Sequence, residues 1–156
     1  MQNDKVISPP RFAGYRALMS PVFSDFHLFS HLYGLGKIDR AEADELLRWM
    51  EMEDVVGMGE NQFTRTKLST GQRKRLALVA ALLEKKPILI LDEWAADQDA
   101  YFRHKFYREI LPELKRRGMT IIAVTHDDRY FDAADRRLHL EYGRLTELNA
   151  TREETT

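Results

Sequence analysis

Apolar positions along the chain follow two different spacings, and the switch between them marks out its elements. Asp39 followed by Glu42 reads as a capping box. It opens a stretch in which Ala43, Leu46, Leu47 and Met50 recur at three- and four-residue intervals, the spacing of one helix face. That helix is expected to end near Gly57. Gly57, Gly59 and Asn61 then form a loop reaching Leu68, where Ser69 or Thr70 can cap a second helix with Leu76, Val79, Ala80 and Leu83 on its apolar face. Pro87 stops this helix and introduces Ile88-Leu89-Ile90-Leu91, a continuous apolar run that fits a strand buried on both faces. A further helix is expected from about Asp99 to Arg117, bent at Pro112, with Gly118 after it. Thr120 to Val124 reads as a second buried strand. A short helical piece, the stretch Arg136 to Leu140, a turn at Glu141 to Arg144 and a last strand at Leu145 to Leu148 complete the order. Helix and strand alternating at these lengths imply an α/β fold with a parallel sheet.

The ends are different. Residues before about Arg11 are polar and include Ser8-Pro9-Pro10, so they are expected to be loose, and the tail after Leu148 has nothing to bury. Between Tyr15 and Tyr33 aromatic and apolar residues crowd together before Gly34 and Gly36 break the chain.

Composition narrows the function classes. The 24 Lys and Arg against 25 Asp and Glu leave a formal charge of −1, which gives no strong basic field for a nucleic-acid backbone. The lack of cysteine excludes disulfides, thiolate catalysis and cysteine-ligated metals. The longest apolar run, Ile88 to Leu91, is far too short to cross a bilayer, and no apolar segment follows the N-terminus as a secretory signal would require. A chain expressed alone is expected to be soluble and cytoplasmic.

Four segments carry candidate chemistry. Leu68-Ser69-Thr70-Gly71-Gln72 stands at a helix start, where free backbone N–H groups and a hydroxyl make an anion site. The apolar run at Ile88 ends in Asp92 and Glu93, and the run at Thr120 leads into His126. Ligands of open parallel sheets bind beyond the carboxyl ends of the strands, where these three residues fall. One carboxylate there can hold a hydrated magnesium ion, its neighbour can deprotonate a water, and an imidazole on the next strand can reach a terminal phosphate. Ala96-Asp97-Gln98-Asp99 lies between. Singly, each has a plainer reading as a cap, a solvated turn or a structural histidine; the ordered set points to phosphate chemistry with a metal. Arg73, Lys74 and Arg75 occupy the first turn of the second helix, the end that disfavours cations, which implies either a nearby anionic group or simple solvation.

These segments resemble the latter part of an ATP-binding cassette (ABC) nucleotide-binding domain. Leu68 to Gln72 resembles the signature motif, with Thr70 where glycine is usual. Ile88 to Glu93 resembles the Walker B strand, which implies Asp92 as the magnesium-side acid and Glu93 as the catalytic base. Ala96 to Asp99 resembles the D-loop and His126 the switch histidine. Val22 to Phe29 resembles the Q-loop region, with Ser24 where the family has glutamine, and Trp94 replaces the usual proline after the catalytic acid. The run Asp92 to Asp99, with Phe23-Ser24-Asp25-Phe26 upstream, looks most like the bacterial cyclic-peptide and siderophore-peptide exporters.

The resemblance implies a P-loop NTPase-like (RecA-like) parallel sheet with a helical signature subdomain. It spans about residues 16–148, helical at about 24–84 and catalytic sheet at about 85–148, flanked by a loose segment 1–15 and a disordered tail 149–156. The implied ligands are ATP and Mg²⁺. The implied partners are a second nucleotide-binding domain, identical or different, and an exporter's transmembrane domain, which would hold the chain at the cytoplasmic face of the inner membrane. No nucleic acid is expected.

No Gly-x-x-x-x-Gly-Lys-Ser/Thr occurs in the sequence, and Gly34-Leu35-Gly36-Lys37-Ile38 lacks both its length and its hydroxyl. The domain is therefore expected to be truncated before its phosphate loop. The isolated chain is expected to bind ATP weakly and to hydrolyse it little, because that loop supplies the N–H nest and lysine that grip the β and γ phosphates. Two other classes fit the same residues: a split or inactive cassette that only dimerises or regulates, and a DNA-associated ATPase of the chromosome-maintenance or repair type. The second calls for long heptad arms that are not seen here.

Overall fold

A computed structural model of the chain describes residues 12–24, 32, 36–65 and 67–148. It divides into two compact units, residues 1–125 and 126–156. In the first, a three-stranded parallel sheet is built from β1 (Met19–Val22), β2 (Ile88–Asp92) and β3 (Thr120–Val124), with β2 in the middle. Around it lie α1 (Phe12–Arg16), α2 (Arg40–Trp49), α3 (Thr70–Leu83), α4 (Ala100–Lys105) and α5 (Leu111–Arg116). The second unit carries a 3₁₀ segment, Asp128–Ala133, and an antiparallel hairpin of β4 (Arg137–Glu141) and β5 (Arg144–Leu148).

The helix faces fall where the apolar spacing puts them. Ala43, Leu46, Leu47 and Met50 of the α2 stretch are buried, as are Leu76, Val79 and Leu83 of α3. α3 also buries Leu78, Ala81, Leu82 and Lys74, so it is enclosed on more than one face. It has the capping box its sequence allows. Ser69 Oγ accepts from the Gln72 N–H and Gln72 Oε1 accepts from the Ser69 N–H, both at 3.2 Å.

Four features differ from expectation. α2 stops at Trp49 rather than near Gly57, because Glu51 adopts a left-handed conformation (φ 56°). The Glu51 N–H bonds the Arg48 carbonyl and the Met52 N–H bonds that of Leu47, which is a Schellman termination with glutamate in the glycine position. The stretch before Arg117 is not one regular helix, since Phe106–Ile110 widens to a π-helical turn just before Pro112. A proline removes a helical hydrogen bond, and a wider turn absorbs that loss. β1 has no counterpart in the strand pattern of the sequence. Pro21 lies within it, which an edge strand tolerates because its outward N–H is not needed. Finally, β3 is mostly exposed, whereas β2 buries Leu89 and Leu91. Among the described residues β3 is paired on one side only, so its apolar side chains lack the cover that a central strand receives.

Candidate functional site

β1 and β2 run parallel in a register that sets Val22 beside Leu91, so the carboxyl ends of both strands finish together. Just past them, the Ser24 hydroxyl donates to Asp92 Oδ2 at 3.2 Å. Asp92 is opposite Val124, which brings the end of β3 to the same edge. The first described unit thus gathers Ser24, Asp92 and Glu93. His126 follows β3 by two residues and opens the second unit, with which it is described.

Glu93 has an unusual backbone. Its φ of 48° is left-handed, a conformation that costs a non-glycine residue roughly 1–2 kcal/mol. Its N–H donates to the Val124 carbonyl at 3.0 Å and its own carbonyl accepts from Lys74 Nζ at 2.8 Å. The chain then turns through a 3₁₀ segment, Trp94–Asp97.

Both ends of that segment, and the two residues after it, are bonded to the start of α3. Lys74 Nζ pairs with Asp97 Oδ2 at 2.7 Å, the Trp94 indole N–H donates to the Lys74 carbonyl at 2.8 Å, and Gln98 Nε2 donates to the Gly71 carbonyl at 3.1 Å. Arg75 donates to Gln98 Oε1 at 2.9 Å and to Asp99 Oδ2 at 3.1 Å, with its guanidinium 3.4 Å from the centre of the Phe102 ring. At Gly71 the two backbones lie close together: a Cβ there would lie 2.7 Å from the Asp97 carbonyl oxygen. Asp99 caps α4 by accepting from the Phe102 N–H at 2.9 Å. That bond and the nearby Arg75 hold its carboxyl below the usual aspartate range.

The anion suggested by the cations of α3 is therefore supplied by the chain itself, as Asp97 for Lys74 and Asp99 for Arg75. Gln98 lies in the candidate segment Ala96 to Asp99, but the sequence gives Lys74 and Arg75 no site role beyond the signal of a run of cations at the wrong end of a helix. Of the signature residues, Ser69 and Gln72 spend their side chains on the cap, Thr70 Oγ1 accepts from Arg73 at 3.3 Å, and Leu68 precedes the helix half-buried. Phe26 to Phe29, the rest of the expected Q-loop aromatics, lie outside the described residues.

Magnesium takes oxygen ligands, commonly one or two from protein with water and phosphate completing the shell. The carboxylate of Asp92 with the Ser24 hydroxyl beside it is a donor set of that kind. No group of three or more carboxylate or imidazole side chains suited to holding a metal occurs among the described residues.

Comparison with known proteins bears on the family and the fold. The chain is 52% identical over 133 residues to the ATP-binding protein SyrD of Pseudomonas syringae pv. syringae, an alignment that takes in 83% of this chain and 24% of that protein. It thus spans about a quarter of that relative's length. Among solved structures, a bacterial Atm1-family ABC exporter with ATP bound matches 86% of this chain and 26% of its own at a TM-score of 0.71 and 24% identity. A dimeric ATP-binding cassette, MJ0796, in a post-hydrolysis state with ADP and Pi, matches 96% of this chain and 70% of its own at a TM-score of 0.70 and 23% identity. Both likenesses establish the P-loop NTPase-like fold. The profile of the ABC transporter family matches residues 2–96, more than half of the sequence, and the chain belongs to that family.

Proposed function

We propose that the chain is the signature-bearing and acid-bearing part of the ATPase of an ABC exporter, coupling ATP hydrolysis to the export of a cyclic or siderophore-type peptide. Residues 24–84 serve as its helical signature subdomain and residues 85–148 as its share of the catalytic sheet. The observation that carries this reading is the meeting of Ser24, Asp92 and Glu93 at the carboxyl ends of parallel strands, with the start of α3 bonded to the turn that follows them. Similarity to SyrD, which is an ATP-binding protein, supports the ATPase assignment. The peptide substrate rests on the run Asp92 to Asp99.

In this reading ATP lies between two cassettes. Asp92 and Ser24 would hold magnesium, which when bound neutralises charge on the phosphates and helps to orient them. Glu93 accepts a proton from the water that attacks the γ-phosphorus as the bond to the β-phosphate oxygen breaks, giving ADP and inorganic phosphate. His126 contacts the terminal phosphate. The N–H groups at the start of α3, around Ser69 and Gly71, face the triphosphate held by the partner cassette. Among the described residues no helix is long and apolar enough to cross a membrane. In this reading an exporter's transmembrane domain holds the cassette at the cytoplasmic face of the inner membrane.

Steady-state ATP hydrolysis by the assembled cassette pair tests the assignment. Glu93→Gln is expected to lower kcat at least 100-fold while leaving nucleotide binding in place, since glutamine keeps the shape and cannot take the proton. Hydrolysis at the unaltered rate in that variant would assign the chain to dimerisation or regulation instead.

A further inference from the structure

Lys74 is 1% exposed, and lysine is among the residues least often found fully buried. A buried ammonium persists where it is both paired and hydrogen-bonded, and Lys74 has both in one segment: the Asp97 carboxylate at 2.7 Å and the Glu93 carbonyl at 2.8 Å. In return, the Trp94 indole donates to the Lys74 carbonyl. Bonds thus run in both directions between residue 74 and the peptides that follow Glu93. Glu93 is the strained residue of this segment, and its two backbone groups are clamped separately, the N–H by β3 and the carbonyl by Lys74. Backbone strain of this kind survives only where its surroundings over-determine it.

Building on the ATPase reading above, we propose that Lys74 is a positioning residue for hydrolysis. Its ammonium fixes the left-handed turn at Glu93, and so the orientation of the carboxylate, and it locks that turn to the helix start carrying Ser69 and Gly71. The proton-accepting group and the phosphate-facing helix end then move as one piece. A purely structural role would have a different signature. The Asp97 side chain is 46% exposed, so water can carry its charge once Lys74 is gone. Methionine at position 74 therefore leaves no buried charge unpaired, and that unpaired charge is what makes removing one partner of a buried ion pair so costly. The proposal separates rate from stability.

The test compares Lys74→Met and Lys74→Arg in the complete ATP-hydrolysing assembly. Lys74→Met is expected to lower kcat roughly 10- to 100-fold, the scale of a misplacement of about 1 Å. KM for ATP should stay within about twofold, as binding does not depend on the Glu93 turn, and the melting temperature should not fall. Lys74→Arg, which keeps a cation with several donors, should recover most of the rate. In a Glu93→Gln background Lys74→Met should add no further loss, because Lys74 acts through Glu93. An unchanged kcat, a fall in melting temperature matching the fall in rate, or an additive loss on Glu93→Gln overturns the proposal. Should Lys74→Met fail to fold, Asp97→Asn decides, with a fall in kcat of about threefold at constant KM supporting positioning and no change refuting it. A second readout needs no nucleotide. The Ala96 N–H donates to the Glu93 carbonyl at 3.3 Å, and its hydrogen exchange should quicken about tenfold in Lys74→Met. Faster exchange with hydrolysis that is indifferent to Glu93→Gln would remove the ATPase reading and keep the clamp; unchanged exchange would remove the clamp and keep the ATPase reading.

Discussion

Gly71 shows how much one hydrogen atom in place of a side chain can decide. The start of α3 lies so close to the Trp94–Asp97 turn that a Cβ at residue 71 would sit 2.7 Å from the Asp97 carbonyl oxygen. That oxygen is backbone and cannot swing aside as a side chain would. Two effects oppose each other in Gly71→Ala. Alanine gains up to about 1 kcal/mol in helix propensity, whereas forcing atoms into a filled contact costs about 1–3 kcal/mol. The second is expected to win, for a net loss of up to about 2 kcal/mol and a calorimetric melting temperature lower by several degrees. The bond from Gln98 to the Gly71 carbonyl should loosen as well, seen as faster exchange of the Gln98 side-chain amide. An alanine variant as stable as the parent would show that the two backbones can part without cost. The neighbouring position shows the reverse freedom: Thr70 is exposed, so a side chain is accommodated where glycine is usual in the family.

At the scale of elements, the joint between α3 and α4 is held by Arg75, Gln98 and Asp99, with Asp99 also serving as the cap of α4. The Asp99 carboxyl is held below its ordinary value chiefly by the Phe102 N–H, and further by Arg75. A depressed folded-state value means that the carboxylate stabilises the fold above the ordinary aspartate range, and that this is lost as pH falls through the lowered value. The side chain is 62% exposed, so solvent screens the ion pair and the cap supplies most of the effect. Asp99→Ala is expected to cost about 1 kcal/mol at neutral pH, with the difference from the parent shrinking below about pH 4 in urea melts. A gap independent of pH would mean the charge contributes nothing. The same joint explains what was legible beforehand. Asp92 and Glu93 stood out because a continuous apolar run ended in two acids, and Ser69 because a cap residue preceded a periodic face. Lys74 did not, since a lysine in a first turn has the pattern of a solvated surface position, and its burial depends on Asp97 and Glu93 some twenty residues later. The end of α2 was missed for a similar reason. Glu51 takes a place where glycine is the signal, and its carboxylate is held by Lys105 at 2.5 Å, with Arg75 at 3.8 Å. β1 escaped because Pro21 argues against a strand until its position at a sheet edge is known.

At the scale of the whole molecule, the two edges that the described residues give the sheet are unequal. β1 has four residues with Pro21 among them, and proline on a short edge strand is a common way to discourage further pairing. β3 has no such protection. Thr120-Ile121-Ile122-Ala123-Val124 contains no charge and no proline, and Ile122 and Val124 are about half exposed, at 48% and 52%. Parallel sheets are normally covered on both faces, so an apolar parallel strand with one open side favours further association. A second copy of the chain can meet that need by pairing edge to edge, and the chain alone is expected to self-associate as its concentration rises, measured by light scattering across a dilution series. Ile122→Lys places a charge on this edge without emptying a buried site, so it should reduce the associated fraction and leave the melting temperature of the monomer nearly unchanged. Monomeric behaviour of the parent chain at high concentration would mean that the β3 edge is already satisfied. A lysine variant that associates as strongly as the parent would locate the contact elsewhere, on a surface independent of the sheet.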